Sequence, residues 1–142
     1  MPDETLHPFS RYVFVYGTLR RGGSNDITRL APPAIFLGEA FVRGTLYDLG
    51  AYPGIALHLV DSAEHGDFSV RGEIYAISPE LERRLDEIEG LLPEPNGEYQ
   101  KREITVLLDG QHLECLVYEI NSEHLENAIR IAHGDWMKDR RL

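Results

Sequence analysis

Runs of hydrophobic residues along the chain predict a protein with more strands than helices. A β-branched and aromatic run ends abruptly at Gly17, which indicates a buried first strand. The mostly apolar segment 34–49 predicts one long, curved strand or two in succession, with bends at Gly38 and Gly44. The complete set of predicted strands covers residues 11–16, 34–49, 55–60, 69–77, 102–108 and 111–120.

Three segments are predicted to be helical. The first is short, at 27–30, and two prolines close it. The middle helix begins with Ser78 as cap and Pro79 at the first helical position, and Gly90 is its expected terminator. A final helix is expected to begin after Ser122. The two longer helices each have an apolar face at helical spacing. In the middle helix this face consists of Leu81, Leu85, Ile88 and Leu92, and in the final helix it consists of Leu125, Ile129, Ala132 and Trp136.

The order of these elements predicts an α+β fold, a small mixed or antiparallel β-barrel flanked by helices. Strands follow one another closely, and Asp109-Gly110 is a strong hairpin signal between the last two. A chain of 142 residues has the usual size of one domain. We therefore expect a flexible N-terminal tail at 1–10 and a single domain at 11–142.

Net charge narrows the classes of partner. The chain carries 24 acidic and 14 basic residues, a formal net charge of -10, which argues against nucleic acids and anionic membrane surfaces as partners. No apolar stretch approaches the roughly 20 residues that cross a bilayer. The first ten residues contain two acids and no hydrophobic core of a signal peptide, so a cytoplasmic location is the default expectation.

Neither cysteine nor histidine chemistry is indicated. Cys115 is the single cysteine, which excludes an internal disulfide, and its apolar surroundings indicate a core residue. The six histidines show no metal-ligand spacing, and the glycines after the first strand do not form a Walker loop. We expect no metal ion.

Glu89 is the strongest candidate for acid–base chemistry. With Leu81 set at 0°, Glu89 falls about 80° away, on the shoulder of the buried face, at about 100° per residue. Shoulder burial, the helix dipole and the like charges of Asp86 and Glu87 would all raise the pKa of its carboxyl group. The alternative is that these three acids form a solvated surface.

Residues around the first strand end allow two interpretations. Gly17 and the glycines after it let the backbone approach a ligand closely, or they form an ordinary loop. Arg20 and Arg21 either meet an anionic group or are solvated. Glu73 lines a cavity if the sheet closes, and otherwise lies on the surface of its strand, which is the expectation we adopt.

Several of these segments together resemble the gamma-glutamylcyclotransferase-like superfamily, over most of residues 11–120. The resemblance implies a barrel whose pocket floor is the backbone of Tyr16, Gly17, Thr18 and Leu19, with Tyr99 also at the substrate and Glu89 as general acid and base. It implies conversion of a γ-glutamyl amide to 5-oxoproline and a free amine, without metal or cofactor. The segments that carry it, in chain order, are Val13-Phe14-Val15-Tyr16-Gly17-Thr18-Leu19, Ala51-Tyr52-Pro53-Gly54, Val70-Arg71-Gly72-Glu73-Ile74-Tyr75, Leu85-Asp86-Glu87-Ile88-Glu89-Gly90 and Tyr99.

The chain departs from the family pattern beside the expected pocket mouth. Many relatives have Tyr-x-Arg, whereas Lys101 stands here at the third position and Arg102 follows it. The loop 91–98 also looks expanded. Two further functions stay open at this point: a non-catalytic module that binds a small acidic metabolite, and a related amide hydrolase.

Overall fold

The computed structural model describes residues 11–58 and 68–139, so the predicted tail at 1–10 and the end of the predicted strand 55–60 lie outside the described residues. Seven strands and two α-helices occupy these ranges. In chain order they are β1 (Arg11–Val15), β2 (Ile35–Asp48), β3 (Pro53–Leu57), β4 (Ser69–Ile77), α1 (Pro79–Ile88), β5 (Tyr99–Leu108), β6 (Gln111–Ile120), β7 (Ile129–Ile131) and α2 (Trp136–Asp139). Neither helix has the length and apolar composition that a membrane-spanning segment requires.

Five strands close into a barrel, which confirms the predicted fold class. β1 pairs with β4, β4 with β2, and β2 with β3, all antiparallel. β6 completes the ring through short parallel pairings with both β1 and β3. β5 extends the sheet as the antiparallel partner of β6, and β7 pairs with β2.

Hydrophobic clusters lie on both faces of β1. Phe14 and Tyr16 belong to one cluster together with the buried Cys115, as the sequence predicted for the cysteine. Val13 and Val15 belong to the other, together with residues of α1. Because β1 is covered on both sides, its end is held rigidly and can position the loop that follows.

Local sequence signals predict both ends of α1 and the hairpin turn between β5 and β6. The Ser78 side chain accepts a hydrogen bond from the Leu81 N–H at 3.1 Å and caps α1. Gly90 has a φ of 80°, which ends the helix as predicted, so Leu92 lies beyond α1 and the prediction that it continues the helical face is wrong. The hairpin turn has φ values of 50° at Asp109 and 81° at Gly110, the conformation that this dipeptide favours.

The predicted final helix after Ser122 is wrong. A 3-10 turn at Ser122–His124 stops at once, and Asn127 has a φ of 67°. Ile129–Ile131 then forms β7, with Leu46 of β2 opposite Ile131. The apolar spacing in this segment reflects a strand that pairs with the barrel and a separate short helix at α2. The first predicted helix is likewise a single 3-10 turn, Ile27–Arg29, which Asp26 caps.

Candidate active site

A cavity of about 300 Å³ opens where β1 ends. The loop 16–19 forms one wall, and the C-terminal end of α1 forms another. The beginnings of β3 and β5 contribute Pro53 and Tyr99. Every site residue that the sequence predicted, Glu89, Tyr16, Gly17, Thr18, Leu19 and Tyr99, lines this one cavity.

The loop after β1 lines the cavity and is held by its own backbone carbonyl groups. Within the loop, the carbonyl oxygens of Gly17, Thr18 and Leu19 accept hydrogen bonds of 3.0, 2.9 and 2.9 Å from backbone N–H groups further along the chain. The N–H groups of the same three residues donate to no residue that the structure describes. The loop is therefore fixed through its acceptors, and its donors stay available to a ligand.

Gly17 is required by close packing. A Cβ atom at this position would lie 2.6 Å from Cγ and 2.9 Å from Cδ of Pro53, at the start of β3. Because the proline ring is stiff, it cannot move aside as a flexible side chain would. The absence of a side chain lets β1 and β3 approach each other at the cavity wall.

Glu89 lies immediately after the last helical residue, where its N–H donates to the Leu85 carbonyl at 2.9 Å. Its half-buried carboxylate makes no hydrogen bond or ion pair with the residues that the structure describes. Burial, followed by the charge of Glu98, raises its pKa from 4.5 to about 7. The direction agrees with the sequence analysis, whereas the like charge comes from Glu98 instead of Asp86 and Glu87.

Asp86 and Glu87 have other surroundings. Asp86 accepts hydrogen bonds from the Tyr118 hydroxyl at 2.6 Å and from Lys101 Nζ at 2.9 Å. Glu87 is exposed on α1. Lys101 also binds Glu82, so this lysine joins β5 to α1 and does not line the cavity.

Besides the Tyr118 hydroxyl, two more tyrosine hydroxyls of the cavity are used inside the fold. Tyr16 donates to the Tyr118 carbonyl at 2.7 Å and accepts from the Ile55 N–H at 3.2 Å, so it bridges β1, β6 and β3. Tyr99 donates to the Pro53 carbonyl at 2.6 Å. Burial, with the nearby charge of Glu89, raises the pKa of both hydroxyls, which keeps them protonated.

Arg20 and Glu73 form a buried ion pair, so Arg20 meets an anionic group instead of solvent, and the expected surface position of Glu73 is wrong. Both residues are 5% exposed, and Arg20 Nε lies 3.1 Å from Glu73 Oε2. Glu73 also accepts from the Arg21 N–H and the Tyr75 hydroxyl, each at 2.9 Å, and Arg20 binds Asp135 at 2.9 Å. Barrel closure buries this face of β4, and the pair joins the loop after β1 to the barrel.

The family resemblance places the loop 91–98 beside the expected pocket mouth but assigns no role to the residues that form the rim of the cavity. Tyr52, Asn96 and Glu98 line it, and the Tyr52 hydroxyl donates a hydrogen bond to Glu98 Oε2. The signal that could have found Glu98 is its place directly before Tyr99 in the loop that looks expanded. Arg102 lies outside this rim and binds Glu119 at 2.9 Å.

Metal-ligand geometry is absent from the described residues. In residues 11–58 and 68–139, no three His, Cys, Asp or Glu side chains gather in a way that could hold a metal ion. The described residues that line the cavity include two carboxylates and no Lys, Arg or His. The cavity therefore offers a base, hydroxyls, amides and backbone donors.

Comparisons with known proteins agree on one family. A family described as "Gamma-glutamyl cyclotransferase, AIG2-like" matches residues 13–138. A gamma-L-glutamyl-butirosin B gamma-glutamyl cyclotransferase from Niallia circulans is 30% identical over 133 residues, 93% of this chain and 74% of that protein. A crystal structure of an AIG2-like protein from Mus musculus has a TM-score of 0.65 at 28% identity, covering 82% of this chain and 80% of that one.

A plant relative matches over a shorter region. A protein from Arabidopsis thaliana, provisionally named as a gamma-glutamylcyclotransferase, is 36% identical over 96 residues. The matched region covers 64% of this chain, and it spans 50% of the length of the plant protein.

Proposed function

The chain belongs to the gamma-glutamyl cyclotransferase, AIG2-like family, and on this premise we propose that it converts a γ-glutamyl amide into 5-oxoproline and a free amine, with Glu89 as general acid and base. The observation that carries the proposal is the placement of two unsatisfied groups in one cavity. Among the described residues, the Glu89 carboxylate has no partner and the N–H groups of Gly17, Thr18 and Leu19 have no acceptor, and all four residues line the same cavity of about 300 Å³.

Glu89 begins the reaction as a base. Its carboxylate takes a proton from the α-ammonium group of the substrate, and a pKa of about 7 suits this transfer near neutral pH. The freed amine attacks the δ-carbonyl carbon of the same molecule, which forms the ring C–N bond and places negative charge on the carbonyl oxygen. Because the attack is intramolecular, holding a folded conformer supplies much of the acceleration.

Collapse of the tetrahedral intermediate releases the amine. Glu89 returns its proton to the leaving nitrogen, and the bond from the former δ-carbonyl carbon to that nitrogen breaks. The ring nitrogen then loses its second proton to the Glu89 carboxylate, which passes it to the released amine, so that the products are 5-oxoproline and an ammonium ion. The N–H groups of Gly17, Thr18 and Leu19 are suited to hold the substrate carboxylate or the oxyanion, because donors fixed in advance cost no reorganisation during the reaction. No covalent intermediate with the protein is required.

Product analysis tests the proposal. The full chain is incubated with γ-glutamyl amines and γ-glutamyl dipeptides, and 5-oxoproline, glutamate and free amine are measured. We expect equal amounts of 5-oxoproline and amine. Glutamate in place of 5-oxoproline would overturn the proposal in favour of an amide hydrolase, and saturable binding without turnover would overturn it in favour of a binding module.

A variant pair tests the role of Glu89. Glu89→Gln removes the base and is expected to lower turnover by about 100-fold or more. Glu87→Gln is the matched control, since this exposed acid lies two residues away on α1, and we expect it to retain turnover. Circular dichroism checks that both variants are folded, and equal activity of Glu89→Gln and the parent would refute this role.

A further inference from the structure

The cavity contains one more carboxylate than the proposed reaction uses. Glu89 faces the reacting groups, but a second carboxylate, Glu98, lines the same cavity. Among the described residues, no Lys, Arg or His forms an ion pair with Glu98, and none lines the cavity. A half-buried carboxylate without a cation favours a ligand that brings one.

Glu98 is held in place by its loop. Its N–H donates to the Asn96 side chain at 3.0 Å, and its carbonyl accepts from the Asn121 N–H at 2.9 Å. The Asn96 N–H donates in turn to the Gly90 carbonyl at 2.9 Å. These bonds fix the Glu98 backbone, and the Tyr52 hydroxyl donates to its carboxylate, so Glu98 is a preorganised part of the cavity wall that a ligand need not order.

The cavity has a buried end and an exposed rim, and this difference indicates where each end of a substrate would lie. Tyr16 and Tyr99 are 6% and 8% exposed, whereas Tyr52 is 36% exposed. A γ-glutamyl group that reaches the loop 16–19 directs its leaving group toward the rim, where Glu98 lies. The exposed Tyr52 ring, whose centroid lies 6.3 Å from that of the buried Tyr99, adds aromatic surface at the rim, which also attracts cations.

We propose that the leaving amine of the substrate carries a second, cationic amino group and no carboxylate, and that Glu98 binds this cation at the rim of the cavity. The inference rests on the proposed cyclotransferase function and narrows its substrate class. A neutral leaving group leaves the Glu98 charge uncompensated. An anionic leaving group meets two carboxylates of like charge.

A matched series of γ-glutamyl amides tests the inference. The leaving amines share a four-carbon spacer that ends in an ammonium, a methyl or a carboxylate group. We expect kcat/KM to be about tenfold higher for the ammonium compound than for the methyl compound, and lowest for the carboxylate. The series is repeated with shorter and longer spacers, so that the result does not depend on whether one spacer length lets the terminal group reach Glu98.

Two variants connect the preference to Glu98. Glu98→Gln retains an oxygen that accepts from the Tyr52 hydroxyl and loses the charge, so the ratio of ammonium to methyl kcat/KM is expected to fall toward one. Glu94→Gln, an exposed acid of the same loop, is expected to retain the parent ratio. Because the ratio is taken within each variant, partial unfolding or a changed pKa of Glu89 cancels.

Each result separates this inference from the proposed function. Absence of 5-oxoproline from every compound overturns both. Turnover at equal rates across the series leaves the cyclotransferase standing and overturns the cationic leaving group. A preference for the ammonium compound that persists in Glu98→Gln overturns the assignment to Glu98.

Discussion

Glu89 lies at the point where α1 has just ended, and this position explains its chemistry. The residue follows the buried positions of the helix closely enough to be half-buried, yet no described side chain binds its carboxylate. The groups with which it interacts electrostatically in the cavity are Glu98 and the hydroxyls of Tyr16, Tyr52, Tyr99 and Tyr118. Of these, Glu98 is the group that, after burial, raises the pKa of Glu89.

The activity should depend on pH through this residue. The base must be deprotonated to act. We therefore expect kcat/KM to be low in acid and to rise with increasing pH, with a midpoint of about 7. In Glu98→Gln, loss of the like charge lowers the pKa of Glu89, so the midpoint should move to lower pH. Rates measured with the methyl-ended substrate from pH 5 to 9 test this, and an unmoved midpoint would contradict it.

Stability should respond in the opposite sense. Since the pKa of Glu89 is higher in the fold than its ordinary value of 4.5, folding favours the protonated form, and stability is lost as pH rises toward and through about 7. Glu89→Gln is therefore expected to be more stable than the parent by about 1 kcal/mol at pH 8, with no gain near pH 4. Urea unfolding at both pH values measures the difference.

At the scale of elements, the packing of the β1 loop against β3 is the tightest constraint on the site. Gly17→Ala places a Cβ against the Pro53 ring and should destabilise the fold by about 1–3 kcal/mol while lowering kcat/KM. Removing the ring in Gly17→Ala/Pro53→Ala should recover part of both losses relative to the sum of the single changes. Strictly additive effects in unfolding and kinetic measurements would exclude this contact as the cause.

The buried ion pair between the β1 loop and β4 should contribute more to the free energy of unfolding than a surface ion pair does. Glu73→Gln leaves Arg20 buried with Asp135 as its remaining acidic partner and is expected to cost about 2–3 kcal/mol. Glu39→Gln is the control, because Glu39 lies opposite Glu73 on β2 and forms an exposed pair with Arg71 that is worth less than about 0.5 kcal/mol. Urea unfolding that gives equal losses would refute the difference.

Elements with strong local chemistry could be predicted, and elements fixed by distant contacts could not. The alternation of residues 69–77 predicts β4 with its observed bounds, and Asp109-Gly110 predicts the hairpin between β5 and β6. Both signals succeed because alternation and turn geometry are local. The apolar spacing after Ser122 predicts a helix, because this spacing does not reveal that Ile129–Ile131 pairs with β2.

The same limit applies to the candidate site. The helical phase placed Glu89 on a buried shoulder, and that inference depends only on residues within a few turns. Glu73 depends on barrel closure, which decides whether its face of β4 is covered. Glu98 lies in a proline-bearing loop without periodicity, so its place in the cavity follows only from the fold.

At the scale of the whole molecule, the net charge of -10 favours cationic substrates before any contact with the cavity. The kcat/KM for the ammonium-ended compound is expected to fall severalfold as NaCl rises from about 0.05 to about 0.5 M, because the Debye length shrinks over this range. The methyl-ended compound should change much less. A parallel decline of both compounds would show that salt acts on the protein and not on charge attraction.

The Tyr16 hydroxyl bridges three barrel strands and also lines the cavity, and this double role limits how new specificity can be engineered. Redesign of the cavity floor at Tyr16 would remove hydrogen bonds where β6 is held to β1 and β3 by short pairings. The loop 91–98 contains no strand or helix of the barrel, so it can be exchanged between homologues with less risk to folding. Directed evolution toward other amines should therefore accumulate its substitutions in that loop.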